Sequence, residues 1–181
     1  ILINRADELA PEEQAELTRL VGEQFPGTPV LRVSAATGAG FDAVAVIDPL
    51  HQIPPYMARS DPIPEAYVLL GALGARTSRI RLGTLVSPAT FRHPSVLARS
   101  AVTVDHISGG RIEVGMGAGW YEREHIEHGF PFLDARRRFE LFAEQVEVVV
   151  RSWTEDGFDH KGPAYELRGQ TALPRPAQQP H

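Results

Sequence analysis

The 181-residue sequence contains no cysteine, and this absence excludes disulfide bonds and thiolate metal ligands. The lack of cysteine fits a reducing compartment, so we expect a cytoplasmic location. No apolar run approaches the roughly 18 residues that a membrane span needs, and the first residues lack the charged and apolar regions of a signal peptide. The sequence therefore predicts no membrane anchor.

The chain also lacks an excess of positive charge. Its formal net charge is −5, and Lys161 is the only lysine. Proteins that bind nucleic acids usually carry a basic face that neutralises phosphates, so we predict no nucleic-acid partner. The hydrophobic fraction of 43% and the charged fraction of 23% are typical of a globular chain that can bury a core.

The sequence does contain a regular alternation of strand-like and helix-like segments. Residues 79–86 and 111–120 are short segments that end in glycine or small residues, and a helical segment from Pro94 to Ser108 separates them. Further strands are predicted at residues 1–3, 30–33 and 43–47, helices at 11–25, 64–77 and 134–153, and a hairpin around Lys161-Gly162. The alternation predicts a parallel α/β fold, in which ligands bind at the carboxyl ends of the strands.

Two of these helices carry apolar residues at a helical spacing, and Asp134 is placed to cap the second of them. The positions predicted to face the core are Val96, Leu97, Ala101, Val102 and Val104 in one helix, and Phe139, Phe142, Val146 and Val149 in the other.

The sequence from about Gly40 onward contains an ordered series of motifs. They are Phe41-Asp42-Ala43-Val44 into Asp48, residues 77–84, Arg92-His93-Pro94, residues 105–111, Gly117-Ala118-Gly119-Trp120, Glu124-His125, residues 129–132, Arg138-Phe139 and Pro174-Arg175-Pro176. This series resembles the luciferase-like oxidoreductases, especially the branch that uses the deazaflavin coenzyme F-420. The resemblance implies a TIM (β/α)8 barrel, with residues 40–181 forming about strands two to four and their helices. We therefore expect a partial barrel that lacks about half of the fold.

The same resemblance implies a function and a binding site. The family uses reduced deazaflavin, or alternatively FMN, for hydride transfer or oxygen activation on a small organic substrate, and we expect this chain alone to be inactive. The flavin-like ring lies over the strand ends, near a non-prolyl cis peptide that corresponds here to residues 85–87. The implied cofactor-binding residues are Asp48, Leu85, Val86, Ser87, Gly117, Ala118 and Gly119. No catalytic residue is assigned and no metal site is predicted.

Each of these residues also has a structural interpretation. An aspartate before a proline is often a turn former, as Asp48 is here, and Ser87 before Pro88 fits an ordinary loop. Gly115 and the two glycines that follow it at spacings of two either admit a cofactor or allow close packing of a strand end. Pro49 stands where the family often has histidine, which leaves a catalytic role at that point without a candidate.

Histidine and arginine residues before and at the start of the predicted helix 134–153 have simpler interpretations. His125 and His128 lie three residues apart, but no zinc-binding H-E-x-x-H pattern is present, and a solvated helix start is the preferred reading. The run from Arg136 to Arg138 is interpreted as exposed surface, with Arg138 as a structural ion-pair partner.

Residues 1–39 contain two further motifs, Asn4-Arg5-Ala6-Asp7 and Ser34-Ala35. The first is similar to the guanine-reading N-K-x-D motif and the second to the S-A loop of a P-loop GTPase. Residues 1–39 thus resemble the end of a GTPase of the cobalamin-synthesis and metallochaperone type. No G-x-x-x-x-G-K-[ST] motif is present, so GTP hydrolysis is not expected. We divide the chain into segments 1–39 and 40–181. A guanine-binding remnant, a non-catalytic fusion fragment and a homo-oligomer remain open, and the strand-like start at Ile1 suggests truncation there.

Overall fold

A computed structural model describes residues 2–4, 12, 19, 31–33, 43–54, 57–171 and 173–178. The strands are β1 (Leu2–Asn4), β2 (Leu31–Val33), β3 (Ala43–Val46), β4 (Arg81–Thr84), β5 (Ser87–Pro88), β6 (Ile112–Glu113), β7 (Met116–Gly117), β8 (Phe158–Lys161) and β9 (Glu166–Gln170). The helices with described bounds are α1 (Ala66–Arg76), α2 (Pro94–Ser108), α3 (Glu122–His128) and α4 (Ala135–Thr154). Glu12 and Arg19 are helical, and the rest of the predicted helix 11–25 lies outside the described residues.

The main sheet has five strands in the order β2-β1-β3-β4-β6. The strands β3, β4 and β6 are parallel, with Val44 opposite Leu82 and Leu82 opposite Ile112. The strand β1 pairs parallel with β2 and antiparallel with β3. The predicted parallel α/β fold is therefore confirmed, and α1 and α2 form the crossovers between the parallel strands.

The helices α1, α2 and α4 begin and end within two residues of their predicted bounds, whereas α3 was not among the predicted helices. Asp134 Oδ1 accepts a hydrogen bond from the Arg137 backbone N–H at 3.0 Å and caps α4, as predicted. Pro94 occupies the first turn of α2, and Gly109 ends that helix in the left-handed region at φ 70°. Within the described ranges, no helix is long and apolar enough to cross a membrane.

The core lies between the main sheet and the helices α1 and α2. Leu70, Leu82 and Leu97 are fully buried there, together with Val44 and Val102. Apolar burial of this kind is the main stabilising term of such a fold, at about 25 cal/mol per Å² removed from water.

Two residues expected in the core are exposed instead. Val96 is 55% exposed and Phe139 is 65% exposed, so these two predictions are wrong. The buried face of α4 is formed by Glu144, Gln145, Val148, Val149 and Ser152. The polar residues Glu144 and Gln145 lie on this face in place of the expected aromatic residues because their side chains hydrogen-bond to neighbouring backbone groups.

A buried carboxylate anchors the predicted hairpin, which is confirmed as the antiparallel pair β8 and β9. Glu144 Oε1 accepts hydrogen bonds from His160 Nε2 and from the Tyr165 backbone N–H, each at 2.9 Å. Its Oε2 atom accepts from the Ala164 backbone N–H at 3.0 Å. These bonds satisfy a carboxylate that would otherwise be costly to bury.

The last described segment, residues 173–178, folds back onto α2 and the edge of β6. The buried Asp105 accepts hydrogen bonds from the backbone N–H groups of Ala177 and Gln178, at 2.5 and 3.2 Å. The side chain of Gln178 also donates to the Ile112 carbonyl at 2.9 Å. The proline-rich connector is therefore fixed to the sheet.

Candidate functional site

A cavity of about 270 Å³ lies at the carboxyl ends of β3 and β4, where the sequence predicts ligand binding. It is lined by Ile47, Asp48, Pro49, Ile53, Leu85, Val86, Pro88, Phe91, Gly119, Trp120, Tyr121, Glu124 and His125. Four of the seven predicted cofactor-binding residues are thus brought together, namely Asp48, Leu85, Val86 and Gly119. Ser87, Gly117 and Ala118 are not among the described lining residues.

The floor of this cavity is an apolar ledge formed by Leu85 and Val86, directly after β4. The peptide bond between them is cis, which confirms the non-prolyl cis peptide implied by the resemblance. Their side chains are 63% and 40% exposed, unusual for aliphatic residues beside a core. Apolar surface displayed in a concave site is the surface that a flat, largely apolar ligand covers.

Asp48 follows β3 and is held by Arg92, which lies in the loop before α2. Arg92 donates to both carboxylate oxygens, at 2.5 and 2.9 Å, and Asp48 is only 3% exposed. The same guanidinium also pairs with Glu65 and lies over the ring of Tyr67, 5.1 Å from its centroid. Burial alone lowers the pKa of Arg92, but hydrogen bonds and charges from the two carboxylates raise it above the ordinary value. Arg92 therefore stays charged and compensates Asp48.

Ser87 lies behind the ledge, since its side chain points into the core. Its Oγ atom is 3.1 Å from the hydroxyl of Tyr67, and the residue is almost fully buried. Burial raises the pKa of Tyr67 above its ordinary value, with smaller opposing effects from hydrogen bonds to Ser87 and Thr84. The hydroxyl of Ser87 thus joins β5 to α1, and its predicted contact with a cofactor stays a prediction.

Glycines after β6 permit close approach of neighbouring chain segments. A Cβ atom on Gly115 would lie 2.2 Å from the Thr84 carbonyl oxygen, and one on Gly117 would lie 2.8 Å from Val86 Cγ2. Gly119 adopts φ 78° beside the cavity, and a Cβ there would lie 2.9 Å from Thr90 Oγ1. Gly115 and Gly117 therefore have the packing role that the sequence left as an alternative.

His125 is a cavity residue that sequence reasoning placed wrongly on a solvated helix start. It is 1% exposed, and its Nδ1 atom donates to the Tyr121 carbonyl at 2.7 Å. A neutral ring with its proton on Nδ1 accepts at Nε2 from the Thr90 hydroxyl, also 2.7 Å away. Phe91 and Phe132 pack against the ring at centroid distances of 5.0 and 4.9 Å. The nearby phenylalanine-rich segment 130–132 was the sequence signal for this aromatic environment.

The loop after β3 is fastened to α3 and closes one side of the cavity. The backbone N–H of Leu50 donates to the buried Glu124 carboxylate. Arg59 donates to both oxygens of Glu127, and His51 Nε2 lies 3.3 Å from Glu127 Oε2 without hydrogen-bond geometry. Hydrogen bonding from Arg123 is the largest cause that lowers the pKa of Glu127. The carboxylate of Glu127 is therefore the shared anchor of this loop.

Arg138 has a different structural role from the predicted ion pair. It donates to the Gly119 carbonyl at 3.1 Å and to the Leu133 carbonyl, and it lies over the Phe132 ring at 4.2 Å. In the described part of the chain its partners are backbone carbonyls and this ring, so the expected ion pair is a wrong prediction. Arg138 instead fixes the segment that carries Gly119 into the cavity wall. Arg136 and Arg137 are exposed, as predicted.

Parallel strands joined by helices, with a cavity at the strand ends, define this chain as part of a TIM-barrel α/β enzyme fold. The chain belongs to the luciferase-like monooxygenase family, whose match covers residues 26–181.

Three similar proteins place the chain within this family. An F420-dependent glucose-6-phosphate dehydrogenase of Microbacterium testaceum is 34% identical over 158 residues, covering 86% of this chain and 46% of that protein. The crystal structure of monooxygenase RslO1 from Streptomyces bottropensis has a TM-score of 0.68 at 29% identity, covering 100% of this chain and 50% of the other. An F420-dependent secondary alcohol dehydrogenase, in complex with an F420-acetone adduct, has a TM-score of 0.68 at 25% identity, covering 77% and 42%. This chain thus spans about half the length of the relatives it matches.

The match also bears on the segment that resembles a GTPase. It begins at residue 26 and so includes Ser34 and Ala35, which the sequence analysis assigned to a guanine-reading loop. Those two residues and Asp7 lie outside the described residues, while Asn4 ends β1. The guanine-binding interpretation and the division at residue 40 stay predictions.

Proposed function

We propose that this chain supplies the cofactor-facing part of an oxidoreductase that uses a reduced deazaflavin, coenzyme F-420, on a small organic substrate. The observation that carries the proposal is the exposed ledge of Leu85 and Val86 at the strand ends. A deazaflavin ring is flat and largely apolar, and the ledge and the Cβ-free wall at Gly119 fit such a ring. The bound deazaflavin would supply the hydride.

The residues of the chain have binding and positioning roles in this proposal. Leu85 and Val86 would support one face of the ring and exclude water from it. Arg92 keeps the Asp48 carboxylate fixed at the rim, so the cavity keeps its shape when a ligand enters. Since the chain spans about half of its relatives, we expect no turnover from this chain alone.

Calorimetric titration of the purified chain with reduced deazaflavin, with reduced FMN and with GTP tests the proposal. We expect saturable heat with deazaflavin, loss of that heat in Val86→Asp, and retention in Val68→Asp, which places the same charge on the exposed surface of α1. Both variants are first checked by circular dichroism. If FMN bound in preference to deazaflavin, the cofactor would be assigned as FMN. If GTP alone bound, the guanine-binding alternative would be favoured. Absence of all binding, or equal loss in the two variants, would refute the ledge as the site.

A further inference from the structure

The second wall of the cavity is aromatic and aliphatic. Trp120 and Tyr121 follow Gly119, and their ring centroids lie 5.3 Å apart with planes inclined by 37°. Phe91 and Pro88 continue this surface, and Ile53 contributes from the loop after β3. Trp120 is 69% exposed, so its indole face is available at the rim. Such a wall binds ligands by contact with apolar groups and rings.

The acidic side chains and the imidazole in the described lining, Asp48, Glu124 and His125, are already engaged within the protein. Arg92 occupies both oxygens of Asp48, and the Leu50 backbone N–H occupies Glu124. Both ring nitrogens of His125 have partners at 2.7 Å. A ligand that bound through these three groups would have to displace these bonds, which is costly in a buried site.

The charge of the lining disfavours anions. Among the described lining residues, Asp48 and Glu124 are carboxylic acids, and no lysine or arginine is present. Arg92 lies close by, but it is shared between Asp48 and Glu65. A phosphate group brought to this wall would therefore meet carboxylates without a free cation.

We propose that this wall, defined by Ile53, Phe91, Trp120 and Tyr121, selects an uncharged and mainly apolar substrate and rejects a phosphorylated one. The inference rests on the proposed function, because it names the substrate class of the same cavity. It predicts a neutral alcohol or carbonyl compound with a hydrocarbon body as the partner of the cofactor.

The test compares two ligands that share one ring and differ in charge. Saturation-transfer NMR titrations of the whole chain, without cofactor, would measure the dissociation constants of cyclohexanol and cyclohexyl phosphate, with glucose 6-phosphate as a polar anion. We expect cyclohexanol to bind at least about tenfold more tightly than either phosphate. Trp120→Ala should weaken cyclohexanol binding by about fivefold. Ile126→Ala, which truncates an exposed residue of α3 outside the lining, should leave it unchanged.

Three outcomes would overturn the inference: no binding of cyclohexanol, phosphates binding as tightly as cyclohexanol, or equal effects of Trp120→Ala and Ile126→Ala. The separate cofactor titration keeps the two proposals distinguishable. Deazaflavin binding together with a preference for cyclohexyl phosphate would leave the proposed function standing and refute the substrate class. Cyclohexanol binding without deazaflavin or FMN binding would refute the proposed function and support an apolar selectivity of the wall.

Discussion

Gly115 is the residue at which the strand ends leave least room for a side chain. We expect Gly115→Ala to lower the free energy of unfolding by about 1–3 kcal/mol, since its new Cβ would lie 2.2 Å from the Thr84 carbonyl oxygen. The matched control is Gly71→Ala in α1, where the nearest atom lies 3.9 Å away and alanine favours the helix by about 0.5–1 kcal/mol. Urea unfolding measures both, and equal stability of the two variants would contradict the packing role.

The second prediction at the residue scale concerns Arg92. Arg92→Gln should lower the free energy of unfolding by about 3–5 kcal/mol, because it leaves the buried Asp48 carboxylate without its partner. The double variant Arg92→Gln/Asp48→Asn removes that charge as well and should recover part of the loss. Arg136→Gln, on the exposed face of α4, serves as the control. A double variant less stable than Arg92→Gln would show that the pair is not the source of the effect.

At the scale of elements, the part of the loop after β3 that carries Arg59 is held to α3 by Glu127. We expect Glu127→Gln to speed amide exchange at residues 57–61, because the change removes the carboxylate that binds Arg59. Glu122→Gln, an exposed carboxylate on the same helix, is the control. Exchange in α2 should be unaffected by either variant. Unchanged exchange at residues 57–61 in Glu127→Gln would show that the loop is fixed by its other contacts.

The pH dependence of this loop follows from the pKa of Glu127, which lies below its ordinary value of 4.5. The stabilising charge is fully present above that ordinary value and is lost as the pH falls through the lower pKa of the folded state. The protection factors of the loop amides, which correct for the intrinsic pH dependence of exchange, should therefore fall only at acidic pH, and added salt should mimic part of the effect because the pair is exposed.

The elements themselves were largely predictable from the sequence. Pro94 and Gly109 delimit α2, and Asp134 starts α4, because capping preferences are local properties of the chain. The inward face of α4 was not predictable from apolar spacing. Phe139 lies outside because the helix turns Glu144 inward, where it binds the hairpin, and that need arises only once the hairpin is in place.

At the scale of the whole molecule, the buried Tyr67 and the half-buried Tyr165 predict an alkaline limit to stability. Burial raises the pKa of both Tyr67 and Tyr165 above 10.0 in the folded state. Below about pH 10 both states hold these protons, and above it the unfolded state releases them first, so the free energy of unfolding falls. Tyr67→Phe should reduce this slope. Ser87→Ala removes the same hydrogen bond but keeps the titrating group, and should retain the slope; identical slopes for all variants in urea titrations would refute the assignment.

The location of the site could be predicted, but its internal contacts could not. The strand ends at Asp48 and Leu85 were identifiable because parallel strands place their carboxyl ends on one side of a sheet. The burial of His125 depends on Thr90 and on aromatic rings that become its neighbours only in the tertiary structure. Thr90 and Phe91 lie more than thirty positions from His125, and contacts at that separation leave no periodic signal in the sequence.

The two tryptophans differ in surroundings. Trp153 is half-buried, and its indole donates to the Ala98 carbonyl at 3.2 Å. Trp120 stands exposed at the cavity rim, so its emission should lie at longer wavelength and be quenched more readily by iodide or acrylamide. A molecule that enters the cavity would shield Trp120 and leave Trp153 unaltered. The chain thus carries an intrinsic optical reporter of occupancy, which needs neither a dye nor a turnover assay.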